Sequence, residues 1–420
     1  MNVRTILWGL VALFFCGFVQ GQSFFLKDIT IHVGNGQVIE NGAVVVENGK
    51  IIFSGKEKEI NTTLPEAIID GKSAHLYPGI ISLYTNIGLS EIDYVRASND
   101  HTEVGDFNAH VRAGIAYNVD SDVIPTLRSN GILVAQVTPR GSLVAGMSSV
   151  MYLNGWTWEE ALVKADEGIH LNWPTQYAYG WQNESEFSAQ RSKNIEKLNS
   201  LFESAKSYCL QPTPQTNLRL QSMCGLFTGQ TTLYLAANHS KDVMEAVLFA
   251  EKYSVKKMAI VGAKNALSIS EELKKRDIAV ILNRLHDTPT KAEDDYDYSY
   301  KLPAQYWQKG VKVAHSYYGD MEVANSRNLA FSAGTSAAFG LEKEAALTAV
   351  TLTPAQILGI DHRLGTIEKG KEATFVLSTG DIFDMKDSRV IQAFIKGVAC
   401  DLDDKQKALN RKYKNKYKIN

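Results

Sequence analysis

Two kinds of hydrophobic patterning divide the chain. From Phe24 to about His75, apolar and polar residues alternate with period two, in "FFLKDITIHVG" and then "GAVVVENGKIIFSG", the pattern of strands with one buried face. Asn48-Gly49 separates two of these runs and predicts a type I′ hairpin, because both positions tolerate positive φ. The same alternation returns in "ATFVLSTG" and "VIQAFIKGVAC", between Ala373 and Cys400. The two flanks together predict a small β-sandwich built from the N- and C-terminal segments.

The middle of the chain has a different rhythm. Short apolar runs, "GIISLYT", "GILVAQVT", "TTLYLAAN", "KKMAIVGA", "IAVILNR" and "GVKVAH", are separated by amphipathic helical patterns such as "SKDVMEAVLFAEKYS" and "KNALSISEELKKRD". Strand followed by helix, repeated, predicts an α/β protein with a parallel sheet, and the length suits a (β/α)8 TIM barrel. An open doubly wound sheet is the alternative. The expected organisation is a signal peptide (1–21), the first part of the sandwich (22–75), the barrel (76–345), the last barrel helix with the rest of the sandwich (346–402), and a terminal basic helix (403–420).

Composition narrows the function classes. A net charge of −2 argues against nucleic acid as a partner. The basic end "RKYKNKYKIN" follows the acidic "DLDD" and reads as the solvated end of a terminal helix. At the other end, one Arg precedes an unbroken apolar run from Ile6 to Val19 and a small residue at Gly21, the layout of a Sec signal peptide. That predicts a periplasmic or secreted protein, and no other run is long enough for a membrane span. Cys16 lacks a small-residue lipobox, so a lipid anchor is not expected. Cys209 and Cys224 bracket a polar, Pro-containing stretch; a disulfide between them and three reduced cysteines are both open, with Cys400 unpaired in the first case.

The stretch "YPGIISLYTNIG", Tyr77 to Gly88, predicts a strand that ends in an aromatic, a hydroxyl and an amide, at the barrel end where chemistry resides. With it, "RGSLVAGMSSVM", "NSRNLAFSAGTSAAFGLEKEAALTAVTLTPAQILGI" and "HRLGTIEKGKEATFVL" resemble the amidohydrolase superfamily over nearly the whole length after the leader. "LNGWTWEEALVKADEGIHLNWP" is similar to an exported bacterial, imidazolonepropionase-like branch. The resemblance implies hydrolysis of non-peptide C–N bonds at a divalent metal. It places the first strand's two metal-binding histidines at Tyr84 and Asn86, and the histidines after strands five and six at Ala236 and at Ala263 or Lys264. The catalytic aspartate after strand eight maps near Asp320, with His315 and Ser316 closer to the strand end. Neither a phenol nor an amide replaces an imidazole on zinc. A metal cofactor is therefore not expected unless the site has been rebuilt.

Two functions follow. In the first, the chain is a non-catalytic pseudoenzyme that binds a small molecule at the barrel mouth through Tyr84, Asn86, Asn238 and Lys264, or pairs with an active relative or with itself. In the second, it is a C–N hydrolase with a rebuilt site around His239, His286, His315 and Asp320, where imidazoles supply metal ligands such as those of zinc or a general base. His101, after strand one, lies on the same rim. Lys264 reads as the exposed start of a helix, Arg140 to Ser149 as a structural turn, and "EDDYDYSY" as a solvated lid with only a weak calcium-like Asp294/Asp295/Asp297 spacing. Loss of the metal removes most activation of a water nucleophile, which favours the first function.

Overall fold

A computed structural model describes residues 22–419 except 142, 179, 181–182, 211–214, 290–292 and 320. The signal-peptide segment and Asp320 lie outside the described residues. Four strands come first: β1 (Phe24–His32), β2 (Val38–Glu47), β3 (Lys50–Lys56) and β4 (Ile68–Pro78). Eight follow: β5 (Ile80–Thr85), β6 (Ile132–Val137), β7 (Val144–Tyr152), β8 (Leu162–Asn172), β9 (Thr232–His239), β10 (Met258–Asn265), β11 (Ala279–Leu282) and β12 (Val313–His315). The last three are β13 (Phe375–Ser378), β14 (Val390–Ile395) and β15 (Val398–Ala399).

The first four and last three strands form one seven-stranded sheet, in the order β15-β14-β13-β4-β1-β2-β3. Both ends of the chain therefore meet in one layer, consistent with the expected sandwich. Asn48 (φ 49°) and Gly49 (φ 77°) turn β2 into β3 with both residues left-handed, as the Asn-Gly pair requires. The alternating apolar residues Leu26, Ile29, Ile31, Val44, Val46 and Leu76 are buried beside Phe375 and Phe394. The layer is tied to the rest of the molecule by His32 on β1, whose Nδ1 lies 2.7 Å from Glu344 Oε1 on the helix Lys343–Thr348.

The middle eight strands form the second sheet in strict chain order, β5 to β12. Its two edges meet where Leu83 pairs with Ser316, and the Ser316 hydroxyl donates to the Leu83 carbonyl at 2.9 Å. This is the expected TIM-barrel core, with one departure. β7 runs antiparallel to both β6 and β8. Only residues 138–143 separate β6 from β7, and only 153–161 separate β7 from β8; a parallel crossover needs a dozen or more. The Arg140–Ser149 stretch, expected as a turn, is thus a turn followed by a buried barrel strand.

Helices cover the barrel. Ser240–Lys252 buries Val243, Ala246, Val247 and Ala250, the i, i+3, i+4, i+7 face of its amphipathic pattern. The long helix Glu184–Leu210 is linked near its end by a Cys209–Cys224 disulfide, Cα–Cα 5.5 Å, while Cys400 is free.

Candidate functional site

At the C-terminal end of β5 the backbone itself is unusual. Tyr84 is buried with φ 51°, and the β5–β6 register shifts between Ser82 and Thr85. Ala263, on β10, has φ 54° beside a second register shift between Gly262 and Asn265. Left-handed backbone at a non-glycine residue costs energy, and bulges at a barrel rim re-aim side chains. Both lie where the family resemblance places metal ligands.

Arg140 occupies this rim as a built-in cation. Its guanidinium carbon sits 4.6 Å above the Tyr84 ring centroid and 4.1 Å from that of Tyr318, and Nη2 donates to Glu322 Oε2 at 2.5 Å. Only 14% of the Arg140 side chain and 4% of that of Glu322 is exposed. The Asn86 amide donates to the other Glu322 oxygen at 3.1 Å. Burial pushes the Glu322 carboxyl upward, while Arg140, Thr85 and the Asn86 amide pull it back. Burial also raises the Tyr84 phenol to about 12, against the pull of Arg140, so it stays protonated. A rim built from a phenol, an amide and a guanidinium–carboxylate pair presents hydrogen bonds and offers a divalent cation no imidazole pair.

Beneath the rim lies a closed polar layer. Gln136 accepts from the Tyr84 amide at 2.9 Å and donates to Glu167 at 2.6 Å. Tyr234 donates to Glu167 at 2.9 Å, and Ser148 Oγ lies 2.7 Å from His170 Nε2 while donating to Glu167. The His170 and Tyr234 rings stack at 4.6 Å. Full burial raises the Glu167 carboxyl and holds His170 well below its usual range. Ser148 with His170 has the pairing of a nucleophile and its base, but both are sealed from solvent, and among the described residues His170 Nδ1 has no hydrogen-bond partner.

Above the rim opens a cavity of about 820 Å³, lined by Asn86, Asp93, His101, Arg140, Lys264 and Asn283, with Arg284, Asp287, Tyr318 and Glu322. Four lining residues have buried polar atoms without a hydrogen-bond partner among the described residues: Asn86 Oδ1, His101 Nδ1, Arg140 Nη1 and Asn283 Oδ1. An unmet buried donor or acceptor costs roughly 1–3 kcal/mol, a cost that a polar molecule in the cavity would relieve. A second cavity lies at the other end of the barrel, among Lys256, Lys257, Asp277 and Lys312 near the starts of β10, β11 and β12. It is away from the strand ends where a barrel carries chemistry.

Of the residues singled out from the sequence, Asn86 and Lys264 line the mouth cavity, and Tyr84 lies under Arg140. Lys264 is not an exposed helix start; it belongs to β10 and forms an ion pair with Asp287, its side chain 19% exposed. Burial raises the Asp287 carboxyl, but Lys264 outweighs it and the net direction is downward. Asn238 is exposed at the end of β9, over Gly262. Ala236 is half-buried, and its carbonyl accepts from the Trp173 amide at 3.1 Å.

Two of the histidines, His286 and His315, meet adjacent hydroxyls of the helix Leu329–Ala338, and His239 lies apart from them on Tyr177. His239 packs on the Tyr177 ring at 3.9 Å, His286 Nε2 lies 2.7 Å from Thr335 Oγ1, and His315 Nε2 lies 3.3 Å from Ser336 Oγ. His315 is fully buried and Ser336 belongs to the outer helix Leu329–Ala338, so this imidazole faces the helical layer. Of Asp294, Asp295 and Asp297, the last two are bridged by Lys301. Among the described residues, no three His, Cys, Asp or Glu side chains come together to hold a metal ion.

Sequence reasoning did not single out Gln136, Glu167, His170 or Glu322, and it read Arg140 only as part of a turn. The available signal was "ADEGIHLNW", where Asp166, Glu167 and His170 fall among the small and apolar residues of one strand.

Residues 224–400 match the amidohydrolase family. The chain carries this match over less than half of its length. Its fold is similar to that of an amidohydrolase from Thermotoga maritima MSB8, with 24% identity and a TM-score of 0.79 over 90% of this chain and 99% of that one. It is also similar to a prolidase complexed with N-methylphosphonate-L-proline (14% identity, TM-score 0.55, 90% and 99% covered). A molinate hydrolase is similar at 12% identity and a TM-score of 0.55, with 92% and 96% covered. At these identities the likeness is one of fold. No curated protein matches. Within a barrel of this fold, then, the described rim carries no cluster of three His, Cys, Asp or Glu side chains able to hold a metal ion.

Proposed function

We propose that this protein is a non-catalytic amidohydrolase-superfamily member whose barrel mouth binds a small polar molecule. The observation that supports it is the rim itself. Arg140, held between Tyr84, Tyr318 and Glu322, takes the cationic place in the cavity, and unpartnered atoms of Asn86, His101, Arg140 and Asn283 face a ligand-sized space. A polar cavity with fixed donors and acceptors binds without needing a metal-activated water. A rebuilt hydrolytic centre has less support, because His286 and His315 meet hydroxyls of the helix Leu329–Ala338, His239 packs on Tyr177, and no three such ligands converge among the described residues.

Export to the periplasm belongs to the same proposal, supported by the Ile6–Val19 run and the Cys209–Cys224 disulfide. So does placement in the imidazolonepropionase-like branch, which rests on "LNGWTWEEALVKADEGIHLNWP".

Elemental mass spectrometry of protein purified without chelators tests the first part. The expected content is below about a tenth of an equivalent of zinc, manganese, iron or nickel, even after incubation with each. A thermal-shift panel of amino acids, small carboxylates and sugars tests the second; a solute that raises Tm for the wild type should lose its effect in Asn283→Ala. Near-stoichiometric metal together with turnover of an amide substrate would overturn the proposal.

A further inference from the structure

The helix Lys405–Tyr417 has no buried residue. Among the described residues its contacts with the body gather at its start. Asp404 caps it by accepting from the Lys407 amide, Ser129 donates to Asp404 at 3.0 Å, Lys405 pairs with Asp122, and Thr126 donates to Gln406 at 2.9 Å. Beyond those contacts the helix stands clear of the body.

Between 405 and 419 the sequence places seven cations and no carboxylate. Lys405, Lys407 and Arg411 are matched by Asp122, Asp404 and Asp403. Lys412, Lys414, Lys416 and Lys418 have no carboxylate within ion-pair distance among the described residues. The helix also has a second face. Leu409, Tyr413 and Tyr417, spaced by four, form one stripe, exposed by 43%, 48% and 61%, and Ile419 continues the apolar character at 60%. Residues four apart lie on one side of a helix, so lysines flank this stripe along its length.

A helix that is only solvated has no use for an aromatic stripe, and a purely electrostatic tail needs none. Leu and Tyr on one face with lysines beside them is the arrangement of a helix lying in a bilayer interface. There the rings sit at headgroup level, and the lysine stems reach outward to phosphate. The unmatched positive charge is complementary to anionic lipid. We propose that the helix Lys405–Tyr417 docks this protein peripherally on an anionic phospholipid surface. Leu409, Tyr413 and Tyr417 enter the interface while Lys412, Lys414, Lys416 and Lys418 bind headgroups. The docking is independent of what the barrel mouth binds.

Co-sedimentation of the full chain with vesicles tests this. Vesicles of phosphatidylcholine with about a third phosphatidylglycerol should retain the protein at low salt and release it at high salt, since exposed charges are screened within roughly 3 Å at 1 M. Pure phosphatidylcholine vesicles should retain little. Replacing the four lysines together by Gln should weaken binding at least tenfold, and so should Leu409→Ser with Tyr413→Ser and Tyr417→Ser. Because the helix buries nothing, both variants should keep the wild-type melting temperature. Equal binding to both vesicle types, no loss in either variant, or binding to soluble heparin but not to vesicles would each overturn the proposal.

Discussion

His315 shows how burial alone sets the chemistry of a residue. Its imidazole is sealed between β12 and the helix Leu329–Ala338, and desolvation lowers its pKa to about 4. The unfolded chain takes up that proton near 6.5 and the folded protein does not. His315 therefore contributes no pH dependence above about 6.5, and stability is lost as pH falls from there towards 4. The loss is at most about 3 kcal/mol. Urea denaturation at pH 7.5 and pH 5 should show that decline in the wild type and a smaller one in His315→Asn. A general base facing the barrel mouth would titrate differently and would not need Ser336 as its neighbour. The sequence placed His315 correctly at a strand end. It could not say which way the ring points, because adjacent strand residues face opposite sides.

At the scale of the element, β8 illustrates how a strand both builds the barrel and stores polar groups inside it. Gly168 lets the Tyr234 ring approach so closely that a Cβ would come within 2.1 Å of Tyr234 Cε2. That approach aligns Tyr234 for its bond to Glu167 and its stack on His170. Gly168→Ala should push the ring aside and destabilise the protein by about 1–3 kcal/mol, the usual penalty for overpacking; chemical denaturation measures it. If stability is unchanged, the Glu167–Tyr234 contact is not what fixes the layer. β7 carries the other lesson. In the sequence its first half reads as part of a turn, and both its existence as a barrel strand and its antiparallel direction emerge only from the pairing and the short connections on either side.

At the scale of the whole molecule, the disulfide joins the end of a long helix to the segment entering β9. A closed loop of 15 residues is worth about 3 kcal/mol in the chain-entropy account. Cys209→Ser should lower stability by that order under non-reducing conditions and should match the reduced wild type. A thiol titration of denatured, unreduced protein should find one free thiol in residues 22–420, that of Cys400. Three would mean the bridge does not form.

The sequence by itself determined the local choices. Period-two alternation and Asn48-Gly49 specify the terminal hairpin, and strand-then-helix repetition specifies a largely parallel α/β middle, leaving its closure into a barrel open. "YPGIISLYTNIG" fixes which residues stand where the family resemblance expects histidines. These features are local, or repeat at a fixed spacing, so they are readable without contacts. Tertiary structure decided the rest. The site is made of Arg140 meeting Tyr84, Tyr318 and Glu322, residues far apart in the chain that barrel closure brings into one place. Which polar atoms have partners is equally a property of that closure, since a hydrogen bond depends on distances that no spacing along the chain encodes.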